Sequence, residues 1–251
     1  VRYENATHSS TTKIHAFGDS FVVGDQDDFI DETRENRIHF LKYNISFAAI
    51  IAKELGYSLT NHAVCGSGSF PQVDLLVQEL LSGNIAKDDI ILFGITALCR
   101  ERTALWEFHK SADNCYGPCM VDRALLSSGD FQKIMDLDFL YLMSMLTGIE
   151  ATFGVSITRI NLFDSISVSN VDSKIMQNIN PGNYVGYDVQ GNTLIDILND
   201  TWGIGKVTPY HDQIVIPNGY SHLYTEKKHP SVKGHKKIAD WFLENTIICK
   251  H

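Results

Sequence analysis

The sequence predicts an α/β fold in three layers, an α/β/α sandwich with helices on both faces of a central parallel sheet. Segments of strand character alternate with segments of helical periodicity, the pattern that right-handed crossovers build into a parallel sheet. Ile90-Ile91-Leu92-Phe93 is a continuous apolar run of the kind found in strands buried on both faces. Small-residue turns follow the expected strands, at Gly18-Asp19-Ser20, Cys65-Gly66-Ser67-Gly68 and Gly94-Ile95-Thr96. In such sheets ligands sit beyond the carboxyl ends of the strands, so these turns are the candidate site.

The elements follow in order. Lys13-Ile14-His15-Ala16-Phe17 is a short strand that runs into Gly18, and Ser20 can open a helical turn. Asn44 is expected to cap a helix carrying Phe47, Ile50, Ile51 and Leu55, with Gly56 as its left-handed stop. Residues 58–64 read as the second strand. Pro71 is expected to open a helix with Val73, Leu76, Val77 and Leu80 on one face and Gly83 past its end. A long helix is expected over 131–147 and a fourth strand over 155–163. The last helix, about 234–246, carries Ile238, Trp241 and Phe242 at helical spacing.

Two stretches, about 97–130 and 164–225, break that rhythm and read as long insertions, with a helical fragment at 194–198. Loops this long in a compact domain are usually lids or binding loops. At 251 residues and 44% hydrophobic content the chain supports one substantial core, so residues 1–251 are read as one domain. The same composition excludes disorder, and no run reaches the ~20 apolar residues of a membrane span. A net charge of −9 argues against a general nucleic-acid binder, which needs clustered Lys and Arg. No basic segment followed by an apolar core opens the chain, so no signal peptide is expected in it. Compartment and oligomeric state stay open.

A serine at a strand-to-helix turn exposes its hydroxyl at the sheet edge and keeps its own N–H available to an oxyanion. Gly66 and Gly68 let the neighbouring backbone approach a ligand. A nucleophilic serine needs a base, commonly His, and a carboxylate to orient that base. Glu226-Lys227-Lys228-His229-Pro230 places a carboxylate three residues before a His. On spacing alone this signal is weak.

Together these residues resemble the SGNH (GDSL-type) serine hydrolase family. The resemblance rests on Ala16-Phe17-Gly18-Asp19-Ser20, Asn61-His62-Ala63-Val64-Cys65-Gly66, Ile91-Leu92-Phe93-Gly94-Ile95-Thr96, and His229-Pro230-Ser231-Val232-Lys233-Gly234-His235. It implies a flavodoxin-like sandwich and a carboxylic-ester hydrolase without cofactor or metal. By it Ser20 is the nucleophile, His229 the base and Glu226 the orienting carboxylate. Ser20 and Gly66 N–H groups form part of the oxyanion hole. Two positions depart from the family pattern. Gly94-Ile95-Thr96-Ala97 stands where Gly-x-Asn-Asp is usual, so Thr96 is expected to replace the oxyanion-hole Asn, with Arg100 as further support. A Thr followed by Arg here is similar to a divergent, phage-encoded branch. Glu226 stands where Asp is usual.

The expected substrates are short-chain acyl esters, including O-acetyl groups on carbohydrates. The alternative is a binding module on the same fold whose catalysis has lapsed, recognising glycans or a protein partner. Other clusters read as ordinary structure. His15 is expected to be a core histidine and His235 a structural one. His211, Asp212 and His222 lack metal-site spacing. The acidic run Asp25, Asp27, Asp28, Asp31, Glu32 and Glu35 lacks the calcium-loop pattern and reads as a solvated loop. Lys227, Lys228, Lys233, Lys236 and Lys237 form a basic patch that reads as a wet helix face. Cys115 and Cys119 bracket a Gly117-Pro118 turn in which a disulfide and two free thiols fit equally.

Overall fold

The computed structural model describes residues 12–24, 33–96, 129–162, 184–185, 193–200 and 216–245, with backbone only at 34, 129–136 and 184–185. Strands β1 (Lys13–Phe17), β2 (Ser58–Asn61), β3 (Ile90–Ile95), β4 (Ser156–Asn161) and β5 (Tyr184–Val185) form a single sheet in the order β2-β1-β3-β4-β5. Every pairing is parallel, with Phe17 level with Phe93 and Ile95 level with Asn161. All carboxyl ends therefore lie along one edge.

The helices fall into two groups. Helices α3 (Phe47–Leu55), α6 (Leu194–Asn199) and α7 (Val232–Asn245) pack together, and separately α4 (Ser69–Leu81) packs on α5 (Gly129–Phe153). The Phe47 and Phe242 rings stack at 5.8 Å between α3 and α7. On the α5 side, the guanidinium of the buried Arg159 on β4 donates to Glu150 at 2.6 Å. Ile14, Ala16, Phe17, Ile91, Leu92 and Phe93 are wholly buried, as strands covered on both faces require. The three-layer α/β expectation holds. Among the described residues no helix is long and apolar enough to cross a membrane.

Several boundaries differ from expectation, each for a local reason. Asn44 does not cap α3. It lies in a π-helical turn (Leu41–Ile45) that continues α2 (Arg34–Phe40), and its amide donates to the Phe40 carbonyl. The cap is Ser46, whose extended backbone ends that turn and whose Oγ accepts the Ala49 N–H at 3.2 Å. Gly56 does stop α3 in the left-handed region, at φ 70°. Strand β2 ends at Asn61 rather than 64, because Asn61 Oδ1 accepts the Ala63 N–H. The chain nevertheless stays tied to β1, through His62 N–H to Ala16 O and Val64 N–H to Gly18 O. Helix α4 starts at Ser69, two residues before Pro71, whose missing N–H costs nothing in a first turn. Helix α5 extends to both sides of the expected span.

Close packing at Gly234 is the sharpest steric constraint. A Cβ there would lie 2.3 Å from the Leu223 carbonyl oxygen and 3.2 Å from Pro230 Cβ. At Gly148, in the interior of α5, a Cβ would meet open space. Gly234→Ala should therefore lose about 1–3 kcal/mol, and Gly148→Ala should gain about 0.5–1 kcal/mol. Urea unfolding midpoints of the two variants check this pair of opposite signs.

Candidate active site

Three strand ends meet at the site, and the glycines among them set how closely. Gly18 ends β1 at φ +148°, and a Cβ there would lie 2.5 Å from Val22 Cγ2. The same methyl group sits 2.7 Å from where a Cβ on Gly94 would be, so Val22 wedges between β1 and β3. This packing forces the chain to turn at once into α1 (Ser20–Val23), one helical turn stopped by Gly24 at φ 85°. Ser20 is its first residue and is 7% exposed.

His229 arrives from the other end of the chain. Tyr224 and Pro230 form an antiparallel bridge, and the Thr225 N–H donates to the His229 carbonyl at 2.8 Å. Thr225 Oγ1 accepts the His229 N–H at 3.2 Å. Lys228 completes this tight loop in the left-handed region, at φ 63°. The side chain is thereby held with Nε2 2.9 Å from Ser20 Oγ, and its ring lies 5.2 Å from that of Phe21. His229 is 9% exposed, so the hydroxyl–imidazole pair is largely shielded from water.

A second set of hydrogen bonds fastens the strand ends to each other. Asp19, wholly buried, caps α1: its Oδ1 accepts the Phe21 N–H at 3.0 Å and its carbonyl accepts those of Val22 and Val23. Its Oδ2 accepts the Thr96 hydroxyl at 2.7 Å. The Thr96 N–H donates to Ser69 Oγ at 3.1 Å. Gln72 of α4 accepts the Gly18 N–H and donates to Ser67 Oγ, both at 3.0 Å. Gly66 turns between these blocks at φ 76°. Neither the Ser20 N–H nor the Gly66 N–H makes a hydrogen bond to a described residue.

The structure thus brings Ser20 and His229 together and sets Thr96 behind them, with Gly66 in the neighbouring turn. Thr96 does not point its hydroxyl outward as expected of an oxyanion donor, because that proton goes to Asp19. Glu226 is exposed and makes no hydrogen bond or ion pair to His229. It lies on the outside of the turn that holds His229. Arg100, Cys115, Cys119, His211, Asp212 and the acidic run 25–32 lie outside the described residues. Among the described residues no three His, Cys, Asp or Glu side chains are grouped to hold a metal ion.

No known family model matches the chain, and no curated protein matches it. Solved structures do match. A lipase from a goat rumen metagenome overlays at a TM-score of 0.51, with 12% identity, over 92% of this chain and 95% of its own. A psychrotrophic esterase from Pseudoalteromonas sp., in a structure inhibited by monoethylphosphonate, gives 0.50 with 12% identity over 95% and 97%. A member of the lipolytic protein G-D-S-L family from Veillonella parvula gives 0.47 with 12% identity over 93% and 97%. The chain has the fold of a known lipase and a known esterase.

Three further histidines pack within the fold, and burial favours their neutral forms. His235 is fully buried, stacks on Phe47 and accepts the Phe47 N–H on Nδ1 at 3.3 Å. Its pKa is pushed down to about 3, by burial first and then by His229. His62 stacks on Phe17 at 4.5 Å, and burial lowers it to about 4. His15 faces His62 at 3.1 Å and Asp89 at 3.4 Å; burial outweighs the carboxylate and lowers it too. Sequence reasoning did not single out Asp19, Ser69 and Gln72 as site residues, since a capping Asp and a helix-start Ser carry no distinctive spacing.

These histidines bind protons more readily unfolded, near the ordinary ~6.5, than folded. Their contribution to stability is complete above that value and is lost as pH falls towards about 4 for His62 and about 3 for His235. The melting temperature should fall between pH 7 and pH 5, and less steeply in His62→Gln. A thermal melt series across that range measures both slopes.

Proposed function

We propose that the protein is a serine esterase of the SGNH type, with Ser20 as nucleophile and His229 as base. The observation that carries this is the 2.9 Å contact between Ser20 Oγ and His229 Nε2 in a shielded site. Ser20 has few other reasons to meet an imidazole from the far end of the chain. The Ser20 and Gly66 N–H groups, which bond to no described residue, support an oxyanion site, and the fold is one in which lipases and esterases occur.

The chemistry runs as acyl transfer. His229 Nε2 takes the Ser20 hydroxyl proton as Oγ bonds to the ester carbonyl carbon, and the carbonyl electron pair moves onto oxygen. The Ser20 and Gly66 N–H groups meet that charge. Collapse of the tetrahedral intermediate breaks the bond to the alcohol, which leaves with the proton from His229. Water then repeats the sequence on the acyl-enzyme, releasing the acid and restoring Ser20. The substrate class in this reading is short-chain acyl esters, O-acetylated carbohydrates among them.

Hydrolysis of p-nitrophenyl acetate and butyrate tests this. Wild type should turn over, and Ser20→Ala and His229→Ala should each fall by at least about 10³-fold. Glu226→Gln should change the rate by less than about threefold, as befits an exposed charge with no bonded partner among the described residues. Undiminished turnover in Ser20→Ala would rule the proposal out.

A further inference from the structure

Thr96 has two hydrogen-bond donors, and both point into the protein. The hydroxyl goes to Asp19 Oδ2 at 2.7 Å and the backbone N–H to Ser69 Oγ at 3.1 Å. The hydroxyl has one proton, so while this bond stands it has none for a substrate oxyanion. The bond is also hard to surrender. Asp19 is wholly buried, and a carboxylate at that depth is costly unless donors surround it. Through its other oxygen and its carbonyl, Asp19 holds the N–H groups of Phe21, Val22 and Val23. The one amide of the α1 turn it does not hold is that of Ser20.

We infer that Thr96 and Asp19 form a positioning pair: the Thr96 hydroxyl fixes the Asp19 carboxylate, which fixes the α1 turn so that the Ser20 N–H and Oγ both face the reacting carbonyl. Thr96 therefore acts on Ser20 through Asp19 and is not itself an oxyanion donor. The inference rests on the reading of Ser20 as nucleophile. It gives position 96 a different task from the one its place after β3 suggests. The short Thr96 hydroxyl spans the gap from the end of β3 to the Asp19 carboxylate after β1.

A double-mutant cycle read by fluorophosphonate labelling of Ser20 tests the pair without needing the natural substrate. Thr96→Val keeps the shape and removes the hydroxyl. It should lower the limiting labelling rate about 10- to 100-fold, as small misplacements of reacting groups do, while the half-saturating probe concentration moves less than about twofold. Thr96→Ser restores the hydroxyl and should label within about threefold of wild type. Asp19→Ser still caps α1 but cannot reach Thr96, and Asp19→Ala removes the side-chain acceptor altogether. In either background Thr96→Val should cost less than about threefold more, because the partner it acts through is gone.

Losses that multiply in both backgrounds would overturn the inference and return Thr96 to a direct contact with the oxyanion. So would labelling of Thr96→Val at the wild-type rate. A wild-type protein that the probe does not label at Ser20 is a separate result, and removes the nucleophile itself.

Discussion

Ser20 and His229 are 209 positions apart in sequence and 2.9 Å apart in space, and most of the described structure serves that approach. Neither residue sits on a long rigid element. Ser20 opens a four-residue turn, and His229 hangs in a loop with Lys228 in a disfavoured backbone region. Each is made rigid by what backs it. Val22 wedged against Gly18 and Gly94 locks the first. The Tyr224–Pro230 bridge and the hydrogen bonds of Thr225 lock the second. The two halves are joined by the α3–α7 contact, where His235, six residues past His229, accepts the first amide of α3.

Much of this was legible in the sequence because it rests on backbone chemistry. A glycine that stops a helix, an apolar run long enough to cross a sheet and a small-residue turn after a strand are local signals, and β1, β3, α3 and α7 follow them. The boundaries that moved did so where side chains compete with the backbone. Asn44 has the chemistry of a cap, yet the π turn delays the helix start by two residues and gives the role to Ser46. Asn61 ends β2 by accepting the N–H of Ala63, two residues on, which composition cannot foresee.

The pairing of Ser20 with His229 was readable, and the groups that back the pair were obscure. Ser20 and His229 stand out through the Gly18-Asp19-Ser20 and His229-to-His235 motifs taken together, since spacing alone is weak. Glu226 holds the place of the orienting carboxylate, but its side chain is exposed and makes no hydrogen bond to His229. Thr96 reads as a donor because it stands where the resembled family has its oxyanion-hole Asn. Which way a hydroxyl points depends on a carboxylate 77 positions away, and that is a property of the fold alone.

The order of assembly has a consequence for the growing chain. Strand β1 pairs with β2 and β3 and is synthesised before both, while α7, which docks on α3, ends at Asn245. During translation, at about 5–20 residues per second, the sheet can gather from the N-terminal side as each strand emerges. The imidazole of His229 is held in place only once α7 has left the ribosome and closed on α3. Until then the Ser20 hydroxyl is without the imidazole that stands 2.9 Å from it in the folded chain.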